Sequence, residues 1–407
     1  ILNDLNDAQR QAVTAPPEHM LVLAGAGSGK TRVLVHRIAW LNQVEGISPY
    51  NIFAVTFTNK AAAEMRQRVE QLQGHSASGM WVGTFHGLAH RLLRNHWKEA
   101  KLPQSFQILD SDDQYRLVRR VLKTLELDEA KWPPKQAQAF INARKDEGKR
   151  PSHIDTSRNP IYEQLVRIYT AYEAACERAG VIDFAELLLR TLELIRDNDS
   201  LQAHYQKRFQ HILVDEFQDT NTIQYALIQL LAGQMNKVFI VGDDDQAIYG
   251  WRGAQVENIH RFQKDYASAQ VIRLEQNYRS TTTILSAANA LIDNNADRMG
   301  KKLWTSGEDG EPITFYNAYD ERDETQFVLD KIKQFVDNGN PRADIAILYR
   351  SNAQSRVFEE RFVSEAIPYR VYGGMRFFER AEIKNALAYL RLMDNANDDA
   401  SFERVVN

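Results

Sequence analysis

The sequence predicts an α/β protein built on a parallel sheet with a helical insertion, and three observations lead to this fold class. Short apolar runs alternate with amphipathic stretches up to about residue 86, helical patterns then continue to about residue 210, and alternation resumes. Alternation is typical of parallel sheets, and a helical block inside it indicates an inserted domain. A second alternating unit begins near residue 276, with strands expected at 313–316, 345–348 and 369–372.

Composition limits the classes of protein that fit. At 407 residues the chain exceeds what one hydrophobic core usually supports, so two or three domains are expected. The formal net charge of −4 excludes a globally basic nucleic-acid binder, so any such track must be a local groove. The lone Cys176 argues for a reduced compartment and against a cysteine metal site. No signal sequence or membrane-spanning stretch is evident, which favours the cytosol and no membrane partner.

The first element with chemical meaning is residues 20–31, which read MLVLAGAGSGKT. A buried strand that ends in a glycine-rich turn before a helix brings backbone N–H groups onto a phosphate. Lys30 would reach the β- and γ-phosphates and the Thr31 hydroxyl would bind Mg²⁺, which predicts a nucleoside triphosphate ligand. The alternative is a strand-helix turn that binds nothing. The predicted loop residues are Ala24, where the motif usually has glycine, and Gly25, Ala26, Gly27, Ser28 and Gly29.

The second element is residues 211–220, HILVDEFQDT, an apolar run that ends in two carboxylates. The carboxyl ends of parallel strands share one edge of a sheet, so Asp215 is expected near the Mg²⁺ held by Thr31. Glu216 is then placed to orient or deprotonate a water for attack on the γ-phosphate. The alternative is an acidic turn after a core strand. The presence of the glycine-rich loop in the same chain makes this alternative less favoured.

The third element is residues 238–254, VFIVGDDDQAIYGWRGA. Asp243, Asp244 and Asp245 suggest a second metal site. Adjacent side chains of an extended segment point in opposite directions, however, so we expect that the three carboxylates do not all converge on one ion. One or two of them are expected to act as hydrogen-bonding supports, with Gln246 as the group that senses the γ-phosphate.

Eight segments in order resemble the superfamily-one DNA helicases of the UvrD, PcrA and Rep type, with the UvrD branch nearest. The segments are LNDAQRQAV from Leu5, AGAGSGKT from Ala24, AVTFTNKAAAEMR from Ala54, GTFHGLAHRLLR from Gly83, LVDEFQDTN from Leu213, VGDDDQAIYGWRGA from Val241, LEQNYRST from Leu274 and LYRSNAQSR from Leu348. Together they span nearly the whole chain. Eight ordered blocks are far more specific than one glycine-rich loop.

The resemblance implies a RecA-like P-loop NTPase domain and a second, incomplete RecA-like domain, with ATP between them. The expected boundaries are residues 1–85 with 210–275 for the first RecA-like, ATP-binding domain; 86–209 for the inserted helical domain; 276–375 for the partial second RecA-like domain; and 376–407 for the truncated start of a further helical insertion. Two later sequence blocks of the family are not present. We therefore expect a fragment that binds nucleotide, hydrolyses it poorly and does not unwind duplex alone.

The resemblance also assigns residues around the nucleotide. Gln9 resembles the family's adenine-reading glutamine, whose amide meets both a donor and an acceptor on the base edge. Arg32 is expected near the same base, and Tyr278 is expected to stack on it from the second domain. Arg279 would donate to the γ-phosphate across the cleft in the manner of an arginine finger. Its alternative role is a surface ion pair.

On the DNA side, the resemblance implies aromatic stacking on unpaired bases with little sequence preference. Candidates for base contact are Phe57, Phe184, Tyr249 and Trp251; candidates for phosphate and sugar contact are Thr58, Asn59, Thr84, His86, Arg252, Arg350, Ser351 and Asn352. Phe184 and Trp251 have the alternative of being core residues. His86 has the alternative of capping a helix.

The expected function is an ATP-dependent 3′-to-5′ DNA helicase and single-strand translocase with ATP and Mg²⁺ as cofactors. By resemblance it serves DNA repair in a bacterial cytoplasm, and its partners are single-stranded DNA, single-strand/duplex junctions and repair proteins. Two rival functions stay open at this point. One is a P-loop kinase, which needs a pocket for a small acceptor and no aromatic track. The other is a nucleotide-responsive DNA-binding module without catalysis.

Overall fold

The computed structural model describes residues 1–406 except 75, 78, 158, 297, 373–380, 395, 397 and 398. The chain divides into two compact units, residues 1–310 and 311–407. Within the described residues, no helix combines the length and the apolar character needed to cross a membrane.

The first unit contains a six-stranded parallel sheet, which confirms the predicted fold class. Its strands are β1 (Met20–Ala24), β2 (Ile52–Thr56), β3 (Trp81–Thr84), β4 (Gln107–Ile108), β5 (Val181–Ile182), β6 (His211–Val214), β7 (Lys237–Gly242) and β8 (Gln270–Leu274). The main sheet has the order β3-β2-β6-β7-β1-β8, and β4 pairs with β5 separately. Every residue of β1, β2 and β6 is buried, as expected for strands covered on both faces.

Helices cover both faces of the sheet and form the insertion between β3 and β6. They are α1 (Asp7–Thr14), α2 (Lys30–Gln43), α3 (Asn59–Gln73), α4 (Phe85–Asn95), α5 (Ser111–Thr124), α6 (Pro134–Asp146), α7 (Pro160–Ala179), α8 (Phe184–Arg196), α9 (Asp199–Arg208), α10 (Thr222–Ala232), α11 (Glu257–Asp265) and α12 (Thr282–Ile292). Helices α5 to α7 share a core of their own. Side chains of α4, α8 and α9 join the core of the sheet instead.

The start of α8 is fixed by a buried charge network. Asp183 accepts a backbone hydrogen bond from Glu186 at 2.7 Å, so it caps the helix. Its other carboxylate oxygen accepts from Lys145 Nζ and from the Tyr172 hydroxyl, both at 2.8 Å. Asp183 is 1% exposed, and a carboxylate this buried needs such partners. The network thereby fixes the position of Phe184, the next residue.

The second unit contains α13 (Glu321–Asp337), α14 (Ser355–Ser364), α15 (Ala381–Asp394) and α16 (Asp399–Val406). A small core forms around Leu329, Ile332 and Phe362. The strands predicted at 313–316, 345–348 and 369–372 are not formed, since the described residues there have no strand pairing. Alternate residues of 345–348 are half-buried, as in a strand. The pattern reports which side chains face the core, whereas a strand also requires a hydrogen-bonded partner.

The segment 373–380, which includes the first residues of the predicted further insertion, lies outside the described residues. The predicted domain limits stay a prediction. Residues 276–310, which we assigned to a second RecA-like domain, belong to the same compact unit as the sheet.

Candidate functional site

The polar residues singled out in the first unit gather where the six parallel strands end. Parallel strands bring their carboxyl ends to one edge, which is where open α/β sheets bind ligands. At this edge the loop from Gly25 to Gly29 follows β1. The residues that follow the other strands are Phe57 after β2, His86 after β3, Asp215 and Glu216 after β6, Asp243 after β7 and Asn277 after β8.

The loop between β1 and α2 has the backbone that a phosphate site needs. Gly27 and Gly29 have φ angles of +67° and +88°, which strongly favour glycine. A Cβ on Gly29 would also lie 2.8 Å from Gln9 Nε2. No described side chain caps α2, so its first N–H groups are available to an anion. Ala24 fits the leading position because it is the last residue of β1 and is fully buried.

Lys30 and Glu216 form an ion pair at this edge. Lys30 Nζ lies 2.9 Å from Glu216 Oε2, and the same oxygen accepts a hydrogen bond from Gln218 Nε2 at 2.8 Å. Glu216 has a φ of +51°, a conformation that costs a residue with a side chain ~1 kcal/mol or more. Such strain at a sheet edge is typical of functional residues. The candidate phosphate ligand and the candidate general base are therefore in contact.

Asp215 is a buried carboxyl group whose pKa is raised above its ordinary value. Its pKa is raised to about 7, because burial and, second, the adjacent charge of Glu216 outweigh the opposite effect of Lys30. A divalent cation would favour the ionised form of Asp215. Together with the Thr31 hydroxyl it offers the hard oxygen donors that Mg²⁺ prefers, so these residues fit that ion.

Asp243, Asp244 and Asp245 do converge on one cation, so our geometric expectation was wrong. Lys301 Nζ lies 2.6, 2.6 and 2.7 Å from their carboxylate oxygens, respectively. The prediction assumed extended backbone, but Asp244–Gln246 is a 3₁₀ turn, which can bring neighbouring side chains together. The cation is an ammonium group. Asp243 also accepts a hydrogen bond from the Gln246 side chain, in keeping with the predicted supporting role.

Gln9 and Tyr278 lie against the phosphate loop. Gln9 is 1% exposed; its Nε2 donates to Ser28 O at 2.8 Å and its Oε1 accepts from Asn6 N at 3.1 Å. Tyr278 donates its backbone N–H to Gly27 O at 3.0 Å, and its half-exposed ring bonds through the hydroxyl to Asn6. Both ends of the Gln9 amide are thus engaged, whereas the Tyr278 ring is open to a ligand.

Arg279 and Arg32 both lie beside the loop between β1 and α2. Arg279 follows Asn277, whose Oδ1 accepts the Arg279 N–H at 2.8 Å and whose Nδ2 donates to Ala26 O at 2.6 Å. Among the described residues no carboxylate pairs with the exposed Arg279 guanidinium, so the surface ion-pair interpretation gains no support. Arg32 donates to the backbone oxygen of Asp4 at 3.2 Å.

Four of the predicted DNA-contact residues line one cavity of about 320 Å³ between the sheet edge and the insertion: Phe57, His86, Phe184 and Tyr249. The Phe57 and Tyr249 rings stack with centroids 5.2 Å apart, and His86 meets Phe184 edge-on at 6.0 Å. The rest of the lining includes polar side chains, among them Gln114, Asn142, Asp146 and Asn221. A flat ring with polar edges, such as a nucleobase, is complementary to such walls.

The alternative roles considered for Phe184, Trp251 and His86, as core residues or as a helix cap, are wrong. Phe184 is 55% exposed and Trp251 is 72% exposed, so neither is a core residue. His86 does not cap α4, because the Thr84 hydroxyl accepts the Gly87 N–H at 3.1 Å. Burial lowers the pKa of His86 to about 4, which keeps it neutral at pH 7.

The other predicted DNA contacts are polar groups at helix starts and turns. Thr58 caps α3, and Asn59 accepts a hydrogen bond from Thr84 at 3.4 Å. The side chain of Arg252 lies outside the described residues. In the second unit, the backbone N–H groups of Arg350 and Ser351 bond to Gln354 Oε1, and Asn352 opens a 3₁₀ turn. All three are exposed.

Sequence reasoning missed three residues: Asn277, Gln218 and Lys301. The first two stand inside blocks that we had already singled out, so only their roles were missed. Lys301 lies outside every such block and is far along the chain from the carboxylates it contacts. No feature of the sequence indicated that contact.

Comparison with known proteins gives matches along the whole chain. Residues 5–267 match the family model for the UvrD/REP helicase N-terminal domain, and residues 272–407 match the UvrD-like helicase C-terminal domain. DNA helicase II of Escherichia coli (strain K12) is 66% identical over 407 residues, and that of Haemophilus influenzae is 59% identical over 411. The ATP-dependent DNA helicase PcrA of Staphylococcus aureus is 45% identical over 408. Each alignment covers the whole of this chain but only 56% of the length of the relative.

Proposed function

Because the chain belongs to the UvrD/REP helicase family, we propose that it is the ATP-hydrolysing part of a 3′-to-5′ DNA helicase that moves along single-stranded DNA. The observation that carries the proposal is that one sheet edge holds both the Lys30–Glu216 pair and an aromatic-lined cavity of about 320 Å³. A phosphate site does not require an aromatic cavity, and an aromatic cavity does not require a phosphate site. Their presence at one edge therefore favours a protein that uses both.

In the proposed reaction, the triphosphate lies on the loop from Gly25 to Gly29, where the N–H groups at the start of α2 meet its charge. Lys30 leaves Glu216 for the β- and γ-phosphates. Thr31 and Asp215 would hold Mg²⁺, which would supply positive charge to the phosphate oxygens. Glu216, freed from its ion pair, accepts a proton from the water that attacks the γ-phosphorus. Arg279 donates to the γ-phosphate and stabilises the transition-state charge there as the bond from the γ-phosphorus to the β-phosphate oxygen breaks and ADP leaves.

Coupling to DNA is proposed to run through the segment that follows β7. Gln218 joins the two carboxylate-bearing strands, because its Nε2 donates to Glu216 and its Oε1 accepts the Asp243 N–H at 2.9 Å. Asp243 holds Gln246, and three residues later Tyr249 stacks on Phe57. A shift of Gln246 toward a γ-phosphate would therefore move a wall of the base cavity. That is the physical link we propose between nucleotide state and DNA grip.

The relatives named above are bacterial, and on that basis we propose a bacterial cytoplasmic location. Single-strand/duplex junctions and repair proteins are proposed partners of the full-length protein. A P-loop kinase is disfavoured because the cavity at the same sheet edge is lined by stacking aromatics.

The test is whether nucleotide alters DNA binding. The affinity of the full chain for fluorescent oligothymidine is measured with and without a non-hydrolysable ATP analogue. A change of about fivefold or more is expected, which is the usual lower range of coupling between two sites. Lys30→Ala should remove that response and leave nucleotide-free DNA binding intact. A kinase would not bind the oligonucleotide, and a passive module would bind it without any response to the analogue.

A second prediction concerns the exposed aromatic residues. Trp251→Ala is expected to weaken single-stranded DNA binding by about 1–3 kcal/mol, the value of one stacked base. Tyr50→Ala is the matched control, since Tyr50 is a half-exposed aromatic just before β2, at the opposite edge of the sheet. Fluorescence anisotropy at one fixed salt concentration gives both affinities. Equal, small losses in the two variants would rule out stacking on Trp251.

A further inference from the structure

Residues 298–304, here called the strap, bind the Asp243–Gln246 turn through several polar contacts. Lys301 is 7% exposed and its ammonium contacts all three carboxylates. The Arg298 guanidinium makes two bonds to Asp245, at 2.8 and 3.0 Å. The Met299 N–H donates to Asp244 at 2.8 Å. Three negative charges thus face two positive ones, and the backbone adds a further donor.

The same strap then reaches the phosphate loop and the turn that carries Tyr278 and Arg279. The Leu303 side chain packs so closely on Gly25 that a Cβ there would clash with it. Trp304 O accepts the Asn277 N–H at 2.7 Å, and Trp304 N donates to Glu275 O at 3.1 Å. A single stretch of seven residues therefore contacts three elements of the nucleotide site.

We propose that Lys301 is a positioning residue for detection of the γ-phosphate, acting through Asp243 on Gln246. This inference rests on the proposed function, in which Gln246 senses the γ-phosphate. The ammonium group holds three carboxylates that would otherwise repel one another, and one of them orients the Gln246 amide. The strap carries that arrangement to the loop that holds the phosphates and to Asn277.

The physical reason is that the Gln246 amide can distinguish a bound γ-phosphate from its absence only if the orientation of the amide is fixed. Without Lys301, the turn would hold three carboxylates against the single cation Arg298. The turn would then relax to separate them, and the Gln246 amide would lose its defined direction. Because ADP lacks the γ-phosphate, its binding would change little. The ATP analogue would lose its advantage over ADP.

The experiment measures the ratio of the Kd for ADP to the Kd for a non-hydrolysable ATP analogue, on the full chain. Lys301→Met keeps the aliphatic stem and removes the ammonium group. Lys302→Met is the matched control, because Lys302 is exposed and, among the described residues, bonds only through its backbone N–H, to Glu275 at 3.0 Å. We expect the ratio to fall at least about fivefold in Lys301→Met and in Gln246→Ala. The double variant should fall no further, and Lys302→Met should match the unmodified chain.

The outcomes separate this inference from the proposed function. A fall in Gln246→Ala without one in Lys301→Met overturns the role of Lys301 and leaves the γ-phosphate sensor in place. An unchanged ratio in Gln246→Ala overturns the sensor itself. If Lys301→Met does not fold, Lys301→Met with Asp244→Asn restores the charge balance of the turn. Because Asp243 still lacks the ammonium group that fixes it, that folded variant should still lose discrimination, and full discrimination by it would refute the inference.

Discussion

Replacing Arg279 with alanine is expected to lower the rate of ATP hydrolysis by ~10³ or more, the range found when an arginine is removed from a phosphoryl-transfer site. Its backbone is fixed beside the phosphate loop by Asn277, while its guanidinium is exposed and has no carboxylate partner among the described residues. It is thus available to a charge that develops on the γ-phosphate. Single-turnover hydrolysis by the full-length protein, with single-stranded DNA present, measures the effect.

Arg279→Lys is the informative companion to this variant. Lysine keeps the positive charge but not the planar pair of donors, so an intermediate rate is expected. The affinity for ADP should be nearly the same in both variants, because the proposed contact is to the γ-phosphate. A rate for Arg279→Ala within tenfold of the unmodified protein would remove Arg279 from the proposed mechanism.

Glu216→Gln is expected to slow hydrolysis by about 10²–10⁴, the usual contribution of a general base. Glutamine has nearly the same shape and can still accept hydrogen bonds from Lys30 and Gln218, so the fold and nucleotide binding should persist. What it cannot do is take a proton from water. Pre-steady-state phosphate release, measured beside ATP-analogue binding, separates the chemical step from affinity.

Asp219→Asn provides the matched control for Glu216→Gln. Asp219 belongs to the same acidic segment, and burial followed by the charge of Glu216 raises its pKa to about 6, but it makes no ion pair with Lys30. Its rate should stay within about tenfold, or ~1.4 kcal/mol. Equal losses in the two variants would mean that any neutralised carboxyl in this segment has the same effect, which would contradict a specific base.

The parallel sheet could be predicted because each strand is a local apolar run with its own turn. The glycines before Lys30, Asp215 and Glu216 after β6, and Gln246 after β7 all stand at strand ends, and strand ends of a parallel sheet meet. The aromatic residues of the cavity were singled out only by family resemblance. Nothing in the spacing of Phe57, Phe184 and Tyr249 indicates that they line one space.

Two predictions were wrong for the same kind of reason. The three aspartates were treated as extended backbone, whereas Asp244–Gln246 forms a 3₁₀ turn. The three apolar runs of the second unit were treated as strands, although strand formation depends on a partner elsewhere in the chain. In both cases a local pattern was used to infer a property that distant residues set.

The sequence by itself determined that the chain forms a parallel sheet with a helical insertion, where its phosphate loop lies, and the family to which the chain belongs. Only the tertiary structure decided that Lys301 neutralises the turn of Gln246, that Asn277 holds the phosphate loop, and that Lys30 rests on Glu216. The physical reason is range. Backbone propensity and hydrophobic periodicity act over a few residues, whereas a charge pairs with whatever the folded chain brings within about 3 Å of it.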